Sequence, residues 1–366
     1  MATTPETRQR SLLESWGMRR LRTQSKSQDD VIEVLTPEEQ QELRRIQRGA
    51  VGRAAGAGAL SALVSAAAAI VAGDPELAPV RYWTMVGAAT LVASVFEIGF
   101  LYFDALRAVR EMAAAAGLSL DPETEQADLA AALARAALEL PSPPHNALAV
   151  DPHREASRLT LALAGLLYKA KIALSSFLLK ALLRRALGRA VARSALELIA
   201  IPVTALWNAV VTHWVLGEAR LRIIGPSAGI ELLRWTDHAD DDRSLSLKAI
   251  ACVIVKAQSV HPNTEHLGRL FLGSQTAPAD LGDEASFLGE LRAASPAQAR
   301  STLRTLASAA IIDGRLTRRE RKLLERAFDA RGLETPWDEL EDLRRHMVAG
   351  DGLRKDLLVR LDQRLA

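Results

Sequence analysis

The sequence predicts an all-α protein: a transmembrane helical hairpin, further apolar or amphipathic helices, and then a soluble helical domain. Three observations predict it. Residues Ala54–Ala72 (AAGAGALSALVSAAAAIVA) and Tyr82–Phe103 (YWTMVGAATLVASVFEIGFLYF) are long apolar runs, the first without a charge and the second with Glu97 alone. Both meet the roughly 20 residues a helix needs to cross the hydrocarbon layer. Helix formers, mainly Ala and Leu, dominate the chain, aromatic residues are only 4%, and no Val/Ile/Thr run alternates as a half-buried strand would. Finally, residues 226–366 carry nearly balanced charge on amphipathic segments separated by Pro and Gly.

Residues 1–35 read as a mobile arm. Ser11–Leu21 within it has the pattern of a short amphipathic helix, with Leu12, Leu13, Trp16 and Leu21 on one side. No apolar core of signal-peptide type is expected from this N-terminus. A firmer helix start is Thr36-Pro37-Glu38-Glu39. Thr36 can cap, Pro37 suits the first helical position, and Glu39 completes a capping box. That helix carries Arg44, Arg45, Arg48 and Arg53 directly into the first apolar run.

The membrane-associated region is expected over 36–225. The connector Gly73–Arg81 (GDPELAPVR) contains Gly and two prolines and reads as a turn. Arginines precede the first run and Arg107 and Arg110 follow the second, while the connector holds Asp74, Glu76 and only Arg81. Cytoplasmic flanks are rich in Lys and Arg, so both ends of the hairpin are expected in the cytoplasm. Tyr82 and Trp83 mark one edge of the second run and Tyr102 and Phe103 the other, as an aromatic belt does. Gly52 and Gly56, then Gly58, Ala62 and Ala66, recur at four-residue spacing, so the first helix is expected to pack closely on a partner helix, a second copy included. Glu97 is costly inside a span and is expected to face protein or water. A fully buried helix pair in a soluble bundle is the competing reading of the hairpin, because Ala and Gly insert only weakly.

Ala127–Leu140 reads as a helix and Pro141–Pro144 as a linker. The stretch 159–179 is long enough to span but contains Lys169 and Lys171, and Arg185, Arg189 and Arg193 follow on one helix face. The run 195–217 carries Pro202, which is expected to break or kink it, and the polar inserts Glu197, Asn208 and His213. Two half-inserted helices on the cytoplasmic surface are the preferred reading, and an ordinary spanning pair is the alternative. Net charge is −6 over 54–144 and +7 over 145–225, so the basic block falls on apolar sequence, as in a segment lying against anionic lipid. Nucleic acid is not expected as a partner, because these basic residues alternate with Leu and Ala without aromatic stacking partners. The lone Cys252 excludes an internal disulfide and sits in an apolar run as a small core residue.

The C-terminal region contains a repeat. Leu247–Phe271 (LKAIACVIVKAQSVHPNTEHLGRLF) and Leu303–Phe328 (LRTLASAAIIDGRLTRRERKLLERAF) each read as an apolar helix, a short break, a capped start and a second helix. The second unit, with Ile312-Asp313-Gly314-Arg315-Leu316-Thr317 and Glu320, resembles the TerB-like domain, an all-helical module named for tellurite-resistance proteins and found in bacterial stress systems. The matching stretch of the first unit, Ala257–Pro262 with Glu265, lacks the Asp-Gly pair. Residues around 189–222, with Ile201-Pro202, Trp207-Asn208, Thr212 and Glu218-Ala219-Arg220, are similar to the end of EcsC-like bacterial membrane-associated proteins, without the Gly-rich character expected between Pro and Asn. Together these resemblances imply a bacterial inner-membrane protein with both termini cytoplasmic, whose C-terminal domain over 226–366 binds a cytosolic protein partner or senses stress.

No reaction is expected. Gly225-Pro226-Ser227-Ala228-Gly229 matches G-x-S-x-G, but a nucleophile elbow needs a strand before it, so the string reads as a domain-boundary turn. No phosphate-binding G-x-x-x-x-G-K-[ST] occurs. His261 and Glu265-His266 miss the spacing of zinc-protease motifs and read as a helix start. Asp313-Gly314 followed by Glu320 matches the end of a calcium loop, but Ala309 to Ile312 stand where its earlier acids are required, which excludes one. Asp237, Asp240, Asp241 and Asp242, with Asp313, are the weak metal candidates, and a solvated loop is the preferred reading of the cluster. Neither a metal nor another cofactor is expected. A pore or lipid-handling protein, with Glu97, Asn208 and His213 lining a polar path, is the alternative function; a soluble helical hydrolase or metalloprotein using Ser227 or the acidic cluster is the third.

Overall fold

Helix α1, Pro37–Ala72, begins as the capping box dictates: Glu39 N donates to Thr36 Oγ1 (3.2 Å) and Thr36 N to Glu39 Oε2 (2.8 Å). The computed structural model describes residues 16–17, 21, 35–73, 77–118, 127–138, 140, 148–155, 193–236, 243–273, 280–353 and 355–365. All regular structure among them is helical, with no strand. Gly73 closes α1 with φ 83°, and Pro79 opens α2, Pro79–Ala115. Then follow α3 (Ala127–Ala137), α4 (Arg193–Thr236), α5 (Arg243–Ala257), α6 (Pro262–Leu272), α7 (Glu284–Ala293), α8 (Pro296–Ile311), α9 (Arg318–Asp329), α10 (Trp337–Ala349) and α11 (Lys355–Leu365).

Helices α1, α2 and α4 form a three-helix bundle. Arg53 pairs with Asp104 (2.8 Å), and Gly58 lies against Thr204 and Asn208. Gln47 Nε2 donates to the His213 carbonyl (3.1 Å). These pairs fix the register: α2 and α4 both run antiparallel to α1. At one end of the bundle lie the α1–α2 connector and the start of α4; at the other lie the first turns of α1, the last turns of α2 and the remaining helices.

The bundle is apolar outside and polar within. Among the described residues, every exposed large hydrophobic other than Trp16, Val348 and Val359 falls within 60–103 or 199–214. Leu60, Ile70, Trp83, Val95, Phe96, Leu206 and Trp214 are more than half exposed. Ser61, Ser65, Thr90, Ser94, Glu97, Thr204 and Asn208 are buried instead. Three helices, Pro37–Ala72, Pro79–Ala115 and Ile199–Trp235, are long and apolar enough to cross a membrane. The 20 residue steps from Tyr82 to Tyr102 rise about 30 Å, which is the thickness of a hydrocarbon layer.

α4 corrects two expectations. Pro202 and Pro226 both lie inside one 44-residue helix. Pro202 therefore does not break the helix, and Gly225–Gly229 is not a turn. The first half of α4 packs along α1. Its second half buries Leu216, Ala219, Leu221, Ile223, Ile224, Ala228 and Leu232 in the same core that holds α5 to α11.

The repeat is structural. α5–α6 and α8–α9 are two helix–turn–helix units offset by 56 residues, and α5 packs on α8. The turn after each first helix contains a residue of positive φ, Gln258 (φ 55°) or Gly314 (φ 72°), at matching positions. Each second helix starts at a matching side-chain cap, His261 or Thr317. Within the N-terminal arm, Leu21 is fully buried and a Cβ on Gly17 would meet Leu138 and Ala134, so these two positions are docked rather than free. The candidate span 159–179, Lys169, Lys171, Arg185, Arg189 and the cluster Asp237, Asp240, Asp241 and Asp242 lie outside the described residues.

Candidate functional site

The bundle interior holds a polar seam built by periodicity. Thr90, Ser94 and Glu97 follow at i, i+4 and i+7 on α2, so they share one face, and that face is turned inward. Asn208 Nδ2 on α4 donates to Glu97 Oε1 (2.7 Å). Thr204 Oγ1 donates to the Gly58 carbonyl on α1 (3.0 Å). Glycine at 58 permits this: a Cβ there would stand 2.7 Å from both Asn208 Nδ2 and the Thr204 carbonyl oxygen. Ser65 Oγ donates one turn back to Ser61 O (3.0 Å), whereas the buried hydroxyls of Thr90 and Ser94 have no hydrogen-bond partner among the described residues.

A second polar group joins the bundle to the domain. Gln47 bridges α1 to His213, and Arg220 Nη1 donates to Gln47 Oε1 (3.2 Å). Arg220 Nη2 reaches the Val348 carbonyl at the end of α10 (2.5 Å). Asp351 accepts from Arg44 (3.3 Å) and pairs with His346 Nδ1 (2.9 Å). Further along α4, Glu218 pairs with Arg222 (3.0 Å) and His261 Nε2 (2.9 Å). His261 Nδ1 accepts from Asn263 N (3.2 Å), which leaves the Nε2 proton to face Glu218. Asn263 Nδ2 donates to both Leu221 O (2.9 Å) and Ile312 O (3.0 Å), tying α4 to the α8–α9 turn.

At that turn Asp313 is buried, and its Oδ1 accepts from Arg315 N (2.8 Å). Burial, opposed by His261 and reinforced by Glu320, raises its carboxyl to about 6. Glu320, fully buried as the capping partner of Thr317, is also pushed up by burial. No group of three or more His, Cys, Asp or Glu that could hold a metal exists among the described residues. Cys252 is buried in α5, and burial pushes its thiol up to about 12, so it is a packing residue and not a nucleophile. An open pocket of about 400 Å³ is lined in part by Arg154, Glu155, Asp283, Glu284 and Arg326. Its charges are matched locally, with Lys256 on Glu155 and Glu284 (2.6 Å each) and Arg326 on Glu284 (2.8 Å).

Of the residues singled out in the sequence, Glu97 and Asn208 meet directly. His213 lies about a turn and a half further along α4 and bonds Gln47. Gly58, Ala62 and Ala66 are buried in the bundle, while Gly52 and Gly56 lie on the opposite face, exposed, with no atom within 4 Å of a built Cβ. Ser227 is held in mid-helix, its Oγ donating to Ile224 O (2.9 Å), far from the geometry of a nucleophile elbow. Gln47, Ser61, Thr90, Ser94 and Thr204 complete the polar groups; their signal in the sequence is polar residues recurring every three or four positions within apolar runs.

The fold and these groups define an all-helical chain with three helices of membrane-crossing character, a polar seam between them, and a helical domain at one end. No family model, curated protein or solved structure matches the chain.

Proposed function

We propose that this is an integral membrane protein without a reaction of its own, which fixes a helical domain at the membrane face for docking a cytosolic protein partner. The observation that carries this reading is the inverted bundle. Its outer surface carries Leu, Val, Phe and Trp, and its interior holds Ser, Thr, Asn and Glu among small alanines. In water such an arrangement exposes far more apolar surface than a soluble protein tolerates, whereas in lipid it is the stable one. α4 then explains the tether: it continues from the bundle into the domain core without a break, so the domain is held by a rigid rod. The arginine flanks favour a bacterial inner membrane with both ends cytoplasmic.

Membrane fractionation with an alkaline carbonate wash tests this. The protein should stay in the pellet and leave it only with detergent. Val92 and Val95, 55% and 63% exposed on the outer face of α2, make no core contact to lose. Replacing both with Lys should release the protein from the pellet; unaltered retention of that variant, or recovery of the wild type as a soluble protein, would count against the reading.

A second reading has its own observation, the Glu97–Asn208 seam. If it forms a polar path, Glu97→Gln should change ion or dye leakage from reconstituted vesicles, and identical leakage removes it.

A further inference from the structure

The membrane reading leaves the arginines at the domain end of α1 and α2 to be explained, and their depth is informative. Arg44, Arg45, Arg53 and Arg107 are engaged, with Asp351, Glu42, Asp104 and Glu111 respectively. Arg48 and Arg110 are exposed and form no ion pair among the described residues. The Arg53–Asp104 pair stands one residue beyond Phe103, at the upper edge of the apolar band. At 1.5 Å per residue, Arg48 lies about 7–8 Å and Arg110 about 9 Å beyond that pair. The headgroup layer is roughly 5–8 Å deep on each side of the hydrocarbon, and an arginine side chain reaches back several ångströms along its stem. Both guanidiniums therefore stand at the depth of lipid phosphates. Trp214 of α4, two-thirds exposed, lies at the same level through the Gln47–His213 contact, where interfacial aromatics belong.

We infer that this collar is a docking surface for anionic phospholipid headgroups of the surrounding leaflet, with Arg48 and Arg110 as its principal contacts and Arg45 supporting them. The inference rests on the membrane reading above. Charge complementarity selects the occupant. Arg110 stands two turns beyond Phe103 on the same face of α2, and both arginines lie on the domain side of the exposed apolar band that begins with Leu60 on α1 and Phe103 on α2, which matches a phosphate above its acyl chains. A second copy of the chain packed on the outer face of α1 would instead bring Arg45 and Arg48 against their own counterparts. Planar guanidinium forks bind phosphate oxygens in pairs, so the contact favours Arg over Lys.

The test uses the full-length protein in neutral detergent, titrated with phosphatidylglycerol or with phosphatidylcholine of the same acyl chains, and followed by thermal unfolding. Phosphatidylglycerol should raise the midpoint and phosphatidylcholine should not. The rise should shrink by at least half in an Arg48→Gln/Arg110→Gln variant and fall away at high salt. Equal shifts with both lipids, an undiminished shift in the variant, or an equal shift with the soluble polyanion heparin would overturn the inference. The variant touches no buried group, so it should fold; its midpoint without lipid checks this. Flotation with neutral vesicles separates the two claims. Failure of the wild type to float removes the membrane reading itself, whereas flotation without a lipid preference removes only the anionic collar.

Discussion

Asp313 is the residue whose chemistry is most exposed to test. Its carboxyl is raised to about 6, chiefly by burial. A carboxyl raised in the folded state adds stability at low pH that is lost as pH rises through the folded value. The folded state should therefore lose stability between about pH 4 and 6 on this account, and Asp313 should carry a penalty at pH 8. Asn keeps the oxygen that accepts from Arg315 N and removes the charge. Asp313→Asn should raise stability at pH 8 by on the order of 2 kcal/mol and do little at pH 4. Unfolding curves at the two pH values check it; an equal effect at both would show that the charge is not the cause. The glycines of α1 offer a second contrast. Gly58→Ala must push a Cβ into Asn208 and the Thr204 backbone and should cost about 1–3 kcal/mol. Gly52→Ala and Gly56→Ala meet nothing, and should be neutral or stabilising by up to about 1 kcal/mol through helix propensity. Four-residue spacing in the sequence groups these glycines without saying which face is inward. That depends on where Thr204 and Asn208 sit, nearly 150 residues away.

At the scale of elements, helices with local signals were readable and their continuity was not. The Thr36 capping box, the two apolar runs and the α5–α6 and α8–α9 units follow from short-range chemistry: a hydroxyl three residues before a Glu, uncharged length, and apolar spacing. α4 does not. Pro202 and the Gly225-Pro226 pair are the strongest local stop signals in the region, yet the helix passes through both, because packing on α1 and in the domain core outweighs two missing N–H donors. Close packing also answers why residue 225 is glycine: a Cβ there would overlap the side chain of Asn263. Gly225→Ala should destabilise the joint between α4 and the domain by several kcal/mol, and Asn263→Ala, which strands two buried carbonyls, by about 1–3 kcal/mol. Greater protease sensitivity of the domain than of the bundle in either variant would locate the damage at this joint; uniform loss of the whole fold would place it elsewhere.

At the scale of the whole molecule, the sequence suggests a hairpin followed by a separate domain, whereas the structure shows one core running from Leu21 to Leu365 around the second half of α4. The polar seam was half legible: Glu97, Asn208 and His213 stand out as charges or amides in apolar runs, but only the register between α2 and α4 shows which two meet. Chain direction adds a constraint. Glu155 pairs with Lys256 at the domain end, whereas α4 starts at the connector end. The central claim is that the connector and the domain lie on opposite sides of a membrane. Cysteine labelling tests it directly, because the one native thiol, Cys252, is buried and unreactive. Leu77→Cys in the connector and Val359→Cys on α11, 86% and 50% exposed, would each be treated with an impermeant maleimide before and after permeabilising the cells that express them. Cys at 77 should label in intact spheroplasts and Cys at 359 only after permeabilisation. Labelling of both positions under the same condition would contradict the claim.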